Sequence, residues 1–200
     1  MTSRRRLARA LSSIAGVLVA SILLGGLTSF AQQFLPSWFS SFANSASGWT
    51  LLTVALIFFA RRSWWESALL GAASFVLLTL GYAAVSTLRG FVYDPTLFSI
   101  VGLVAGPFIG VAACWIRGRA FRASAATALL AGIGTGEAVY GLTVVGDTTS
   151  PVYWVFIGVV ALALVVFMIA RRIRRALPIA VALVGTPLIA LAFNTSFNML

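Results

Sequence analysis

Seven apolar stretches, each close to the length of a membrane-spanning helix, run through this 200-residue chain with short polar segments between them. One span needs roughly 20 predominantly apolar residues, so seven spans would use about 140 residues and leave only loops and tails. The composition agrees, since 60% of the residues are hydrophobic, 9% are charged and the mean hydropathy is +1.03. No aqueous domain of ordinary size fits in the remainder.

We therefore expect an all-α fold, a polytopic transmembrane helical bundle that forms a single integral membrane domain over residues 1–200. The expected spans cover residues 11–30, 43–60, 64–86, 96–116, 123–145, 152–170 and 177–193. The first span has an alternative, because Arg4–Arg6, an apolar stretch and then Ser29-Phe30-Ala31 are also typical of a secretory signal peptide. A retained first helix is the preferred interpretation, and cleavage would leave six spans.

The distribution of the arginines indicates an orientation. All fourteen basic residues are Arg, and they form short runs between the apolar stretches. If the N-terminus is cytoplasmic and the spans alternate, thirteen of the fourteen face the cytoplasm and only Arg89 lies outside. Cytoplasmic loops of membrane proteins carry such an excess. We expect a bacterial plasma-membrane protein with its C-terminus outside, whose partner is a bilayer with anionic headgroups rather than nucleic acid.

The missing residue types exclude several kinds of site. The chain has no His, one Cys (Cys114) and four acidic residues, Glu66, Asp94, Glu137 and Asp147. Zinc sites need clusters of His, Cys or carboxylate, and nucleophiles activated by His need that residue. We therefore expect no metal site, no cofactor and no enzymatic activity.

Glu137 is the one ionisable side chain deep inside a predicted span. A charge at the membrane centre costs roughly 2.5 to 3.5 kcal/mol on insertion scales, so it needs a partner or a water-filled cavity. Tyr140 lies at i+3, where its hydroxyl can reach the carboxyl group. Tyr82 is predicted at a similar depth in the outer half of the membrane, and Arg89 lies above it as a counter-charge.

Two functions are compatible with these four residues. In the first, Glu137, Tyr140, Tyr82 and Arg89 line an outward-facing pocket of a solute-binding or transport-related protein that takes a small-molecule ligand. In the alternative, the chain is a structural or scaffolding membrane subunit, and its polar groups only hold helices together. The uncharged connection over residues 31–48 is expected to lie at the outer membrane–water interface, and a lid over an outer cavity is the alternative.

Glycines at helical spacing predict close contacts between helices. Gly102, Gly106 and Gly110 repeat every four residues, and Gly134 and Gly141 flank Glu137. Small residues at this spacing let two helices approach closely in a membrane. Packing within the chain is the expected role, and a docking face for a partner membrane subunit is the alternative.

Several short motifs carry a resemblance to known proteins. They are Leu35-Pro36, Ala43-Asn44-Ser45 leading to Trp49, Leu88-Arg89-Gly90, Gly106-Pro107 and Gly136-Glu137. With them the chain resembles a family of small bacterial multi-pass membrane proteins of unknown function, which implies a helical membrane protein and no particular activity. In size and in its predicted outer-half site it is also similar to the substrate-binding subunits of energy-coupling-factor vitamin transporters. Those usually have six helices, whereas seven are predicted here.

Overall fold

The computed structural model describes residues 3–199, with side chains from Ala8 onward. Over that part of the chain the secondary structure is entirely helical. The helices are α1 (Ser3–Phe34), a short 3-10 helix (Ser40–Asn44), α2 (Ala46–Ala60), α3 (Trp64–Leu88), α4 (Thr96–Trp115), α5 (Phe121–Thr143), α6 (Pro151–Arg171) and α7 (Ala176–Phe197). Each apolar stretch picked out in the sequence forms one α-helix, so the all-α prediction is confirmed.

Five of the helices are long and apolar enough to cross a membrane: residues Ala8–Phe34 of α1, and the whole of α3, α4, α6 and α7. The two others differ from them in length or in polarity. Helix α2 is apolar but has only 15 residues. Helix α5 has 23 residues, but these include Glu137 and several Gly, Ser and Thr residues. The chain is therefore an all-helical membrane-type protein with five candidate spans.

Polar side chains cap the start of helix α3. The carboxylate of Glu66 accepts hydrogen bonds from the Ser63 amide (3.0 Å) and the Ser63 hydroxyl (2.5 Å). It also pairs with Arg62. A carboxylate at this position meets the unpaired N–H groups and the positive end of the helix. Glu66 thus lies in the first turn of α3 beside Arg62.

The chain divides into two compact units, of which the first comprises Met1–Phe30 and Thr50–Cys114. In this unit α1 and α3 meet through small and hydroxyl side chains, and Ser21 lies 2.8 Å from Ser74, oxygen to oxygen. Helices α3 and α4 meet at the glycines predicted to pack. A Cβ at Gly106 would lie 2.6 Å from the Cα of Ala72, and one at Gly110 would overlap the backbone of Ser67.

The second unit comprises Ala31–Trp49 and Trp115–Leu200. Helix α5 packs against both α6 and α7 in this unit. A Cβ at Gly134 would lie 3.1 Å from the Cβ of Ala161 in α6, and one at Gly141 would overlap the ring of Trp154. On the side of α7, a Cβ at Gly136 would lie 2.9 Å from the Ala190 carbonyl oxygen. Because two helices cover α5 so closely, its Ser124, Thr127 and Glu137 side chains are buried.

Candidate functional site

Glu137 of α5 is buried, with 4% of its surface exposed, and its carboxylate binds the start of α2. One oxygen, Oε1, accepts the Ala46 N–H at 2.6 Å, and the other, Oε2, accepts the Ser47 N–H at 2.7 Å. These two amides belong to the first turn of α2, where a helix has no internal acceptors for its N–H groups. We call this arrangement of Glu137 with the Ala46 and Ser47 amides the carboxylate cap.

Ser45 completes the capping of the same helix terminus. Its hydroxyl accepts the Gly48 N–H at 2.8 Å, and its carbonyl accepts the Trp49 N–H at 3.1 Å as the first regular helical bond. The first three amides of α2 therefore each have an acceptor, two from Glu137 and one from Ser45. Ser is among the residues favoured at this position for that reason.

Tyr153 of α6 holds Ser45 from the other side. Its hydroxyl lies 2.6 Å from the Ser45 hydroxyl oxygen, and its side chain is only 1% exposed. The ring packs edge-on against Phe39 and Phe42, with centroid separations of 5.6 and 6.4 Å. The connection that precedes α2 is thus an ordered, aromatic-rich segment with a 3-10 helix, which places the helix start against α6.

Two local features of the sequence explain why the chain can adopt this geometry. Gly48 leaves no room for a side chain, because a Cβ there would overlap the Phe42 carbonyl and lie 2.9 Å from the Ser45 hydroxyl oxygen. On α5, the residue before Glu137 is Gly136, whose carbonyl accepts the Asn194 side-chain amide at 2.9 Å. Close packing of Gly136 on α7 fixes the rotation of α5 and so directs Glu137 away from α7.

The carboxylate cap is chemically suited to a site without water. Each unpaired backbone N–H in hydrocarbon costs several kcal/mol, and a lone carboxylate costs more. In the cap the two groups satisfy one another with charge-assisted bonds, which are shorter and roughly twice as strong as neutral ones. The positive end of the helix dipole adds to the stabilisation of the anion.

The other residues chosen from the sequence lie in different surroundings. Tyr140 is in the same unit as Glu137, but its ring packs edge-on against Phe197 of α7 at 5.7 Å, centroid to centroid. The hydroxyl next to the carboxylate cap is instead that of Tyr153, which reaches it through Ser45. Helical spacing relates only residues of one helix, so the sequence does not connect Tyr153 of α6 with Glu137 of α5.

Tyr82 and Arg89 belong to the first unit. Arg89 donates to the Ser29 carbonyl and, at 2.9 Å, to the Ser29 hydroxyl. Its guanidinium lies 4.6 Å from the centroid of the Phe30 ring. Tyr82 packs edge-on against Tyr93 in the following loop, with centroids 4.8 Å apart. Burial there, with Tyr82 and Asp94 nearby, raises the pKa of Tyr93 to about 12.

Comparison with known proteins assigns no activity to the chain. Neither a curated protein nor a solved structure matches the chain. A family model matches residues 4–200 and describes a family of unknown function, DUF6518. The resemblance to a family of unknown function is therefore confirmed. The match covers nearly the whole chain, and on that ground the protein belongs to the DUF6518 family.

Proposed function

We propose that the chain is a bacterial plasma-membrane protein that crosses the bilayer seven times, with the N-terminus in the cytoplasm and the C-terminus outside. Thirteen of the fourteen arginines support this orientation, because they share one side when the helices alternate. In the second unit, Arg172 after α6 donates to the Arg117 carbonyl before α5 at 3.3 Å, so these two loops lie at one end. Helix α5 is ~34 Å long, which is enough for a hydrocarbon layer of roughly 30 Å.

The short helix α2 fits this topology if the carboxylate cap lies inside the membrane. Fifteen residues extend ~22 Å, which is less than the hydrocarbon thickness. A helix that starts within the membrane needs acceptors for its first amides from the protein itself. Glu137 and Ser45 supply them. Reporter fusions after Arg119, Asp147 and Ile173 test the topology, and opposite sides for the first and third positions would contradict it.

For the role of the protein, the structural alternative is better supported than solute binding. The observation that carries this conclusion is that both oxygens of Glu137 are already bonded to backbone amides, with the side chain 4% exposed. A carboxylate used in this way stabilises a helix start and has no oxygen without a partner. We infer a non-catalytic, structural membrane subunit in which Glu137 holds α2 to α5.

One observation favours solute binding as a second candidate. Helix N-termini inside membrane transporters often bind the anionic group of a substrate. In the carboxylate cap, Glu137 occupies that position at the start of α2. A solute carboxylate could bind there only if it displaced the Glu137 carboxylate from the two amides. It would also need a route from water, which the outward-facing pocket of this second candidate would have to provide.

A chemical rescue experiment separates the two candidates. Glu137→Ala removes the carboxylate and leaves the Ala46 and Ser47 amides without acceptors, so we expect a large loss of stability in detergent. Millimolar acetate or formate is then added to the purified full-length variant, and its thermal unfolding is followed by circular dichroism. Glu66→Ala is the matched control, because it uncaps a helix start beside the partly exposed Arg62.

The structural proposal predicts that acetate leaves Glu137→Ala destabilised. Recovery of stability with acetate in this variant, beyond that in Glu66→Ala, would show a carboxylate site open to water and would overturn the structural proposal in favour of solute binding. A Glu137→Ala protein as stable as the wild type would contradict the structural proposal directly.

A further inference from the structure

Seven arginines of the second unit lie in two loops, or in the helix turns next to them, and the fold holds these two loops together. We call them the arginine surface: Arg117 and Arg119 between α4 and α5 with Arg122 in the first turn of α5, and Arg171 at the end of α6 with Arg172, Arg174 and Arg175 between α6 and α7. The hydrogen bond from the Arg172 guanidinium to the Arg117 carbonyl, 3.3 Å long, joins the two loops. No acidic residue occurs in either segment. The nearest acid along α5, Glu137, is ~24 Å from the helix start.

A buried side chain in the loop between α6 and α7 sets the direction of the four arginines that flank it. Ile173 is fully buried against Met168, Ala123 and Ala182. Its amide, like that of Arg172, donates to the Met168 carbonyl at 2.8 Å. Because Ile173 is anchored in this way, the two arginines on each side of it are exposed. The cationic groups are therefore presented by a fixed backbone, and less ordering is needed when they bind an anion.

Exposed apolar side chains border the arginine surface. Phe121, the first residue of α5, is 58% exposed and precedes Arg122. Leu177, the second residue of α7, is 71% exposed and lies two residues after Arg175. Further along α6, Phe167 is 57% exposed. Cationic groups at the helix ends and apolar side chains along the helices match a phospholipid, which has a phosphate headgroup above acyl chains. A soluble phosphate would use only the cationic part.

We propose that the arginine surface is a binding site for anionic phospholipid headgroups of the cytoplasmic leaflet. Each guanidinium group donates two parallel hydrogen bonds to the phosphate oxygens, a geometry that suits Arg better than Lys. Phe121 and Leu177 contact the upper acyl chains. This inference rests on the proposed orientation of the protein. A basic residue near an anionic membrane surface contributes about 1 kcal/mol, which corresponds to about fivefold in affinity.

The test measures binding of fluorescent phosphatidylglycerol to the purified full-length protein in uncharged detergent micelles. Phosphatidylcholine is the uncharged comparison, and inorganic phosphate is added as a competitor. Arg119→Gln with Arg174→Gln removes one exposed charge from each loop, and we expect affinity for phosphatidylglycerol to fall about 25-fold. The control pair, Arg9→Gln with Arg61→Gln, removes two charges from the same predicted side but outside the surface, and we expect less than a twofold change.

Three results would overturn the proposal. The first is an equal loss of phosphatidylglycerol affinity in the two variant pairs. The second is equal affinity of the protein for phosphatidylglycerol and phosphatidylcholine. The third is displacement of phosphatidylglycerol by inorganic phosphate at the same concentration as the lipid. Because the measurement is made in micelles, any of these outcomes leaves the membrane orientation to be judged by the reporter fusions alone.

Discussion

Replacing Glu137 by Gln tests whether the carboxylate cap holds the start of α2. The change keeps the size of the side chain but removes its charge and turns one oxygen into an NH₂ group. One backbone amide, of Ala46 or Ser47, then retains a neutral acceptor. The other amide faces a donor and loses its hydrogen bond.

The expected cost follows from these two changes. A hydrogen bond to a charged group contributes about 1.5 to 3 kcal/mol, and a neutral one about 0.5 to 1.5 kcal/mol. An orphaned buried donor costs a further 1 to 3 kcal/mol or so. We expect Glu137→Gln to lower the free energy of unfolding by about 2 to 4 kcal/mol. Denaturing-detergent titration of the purified protein, followed by far-ultraviolet circular dichroism, measures it.

Glu66→Gln is the matched control for that measurement. It makes the same chemical change at another helix start, where the carboxylate bonds Ser63 and pairs with Arg62. That pair is partly exposed, so water replaces the lost interactions and the cost should stay below about 1 kcal/mol. Equal effects of the two substitutions would refute the reasoning. A Glu137→Gln protein more stable than wild type would show instead that the carboxylate is kept at the expense of stability, as at a ligand site.

Three further predictions concern the surroundings of the carboxylate cap and Tyr93 in the loop between α3 and α4, with Gly16→Ala in α1 as a control. Gly48→Ala should lower stability by about 1 to 3 kcal/mol, because its Cβ would overlap backbone. Gly16→Ala, with open space around the new methyl group, should be neutral or stabilising in the same titration. Tyr153→Phe removes the hydroxyl bonded to Ser45 and should cost about 1 kcal/mol, and an unchanged midpoint would contradict that bond. Burial raises the pKa of Tyr93 to about 12, so stability should fall as pH rises from about 10 to 12. Tyr93→Phe should make that fall smaller than in the wild type.

Most of the fold could be predicted from the sequence, because apolar stretches of about 20 residues ended by arginines leave few alternatives. The expected span 64–86 became α3 (Trp64–Leu88), and 96–116 became α4 (Thr96–Trp115). The second span was predicted from residue 43, whereas α2 begins at Ala46. Its start depends on Ser45 and on a carboxylate from another helix, neither of which hydropathy reflects.

The candidate site could be predicted only in part. Glu137 was recognisable because it is the single ionisable residue deep in a predicted span. Its partners are backbone amides, which every residue carries, so no pattern of side chains points to Ala46 or Ser47. Ser45 did carry a usable signal, since a Ser just before an apolar run is typical of a helix start. Whether Tyr82 and Arg89 contribute to a pocket with Glu137 stays a prediction.

The distance along the chain between the two halves of the carboxylate cap has a consequence for biogenesis. Ala46 and Glu137 are separated by 91 residues, so α2 leaves the ribosome well before its acceptor is made. At ordinary synthesis rates the delay is on the order of 5 to 20 seconds. During that interval the first amides of α2 depend on water or on the insertion machinery for hydrogen bonds. Nascent chains that stop short of Glu137 should therefore keep the start of α2 within reach of water-soluble reagents, and chains that extend beyond it should not.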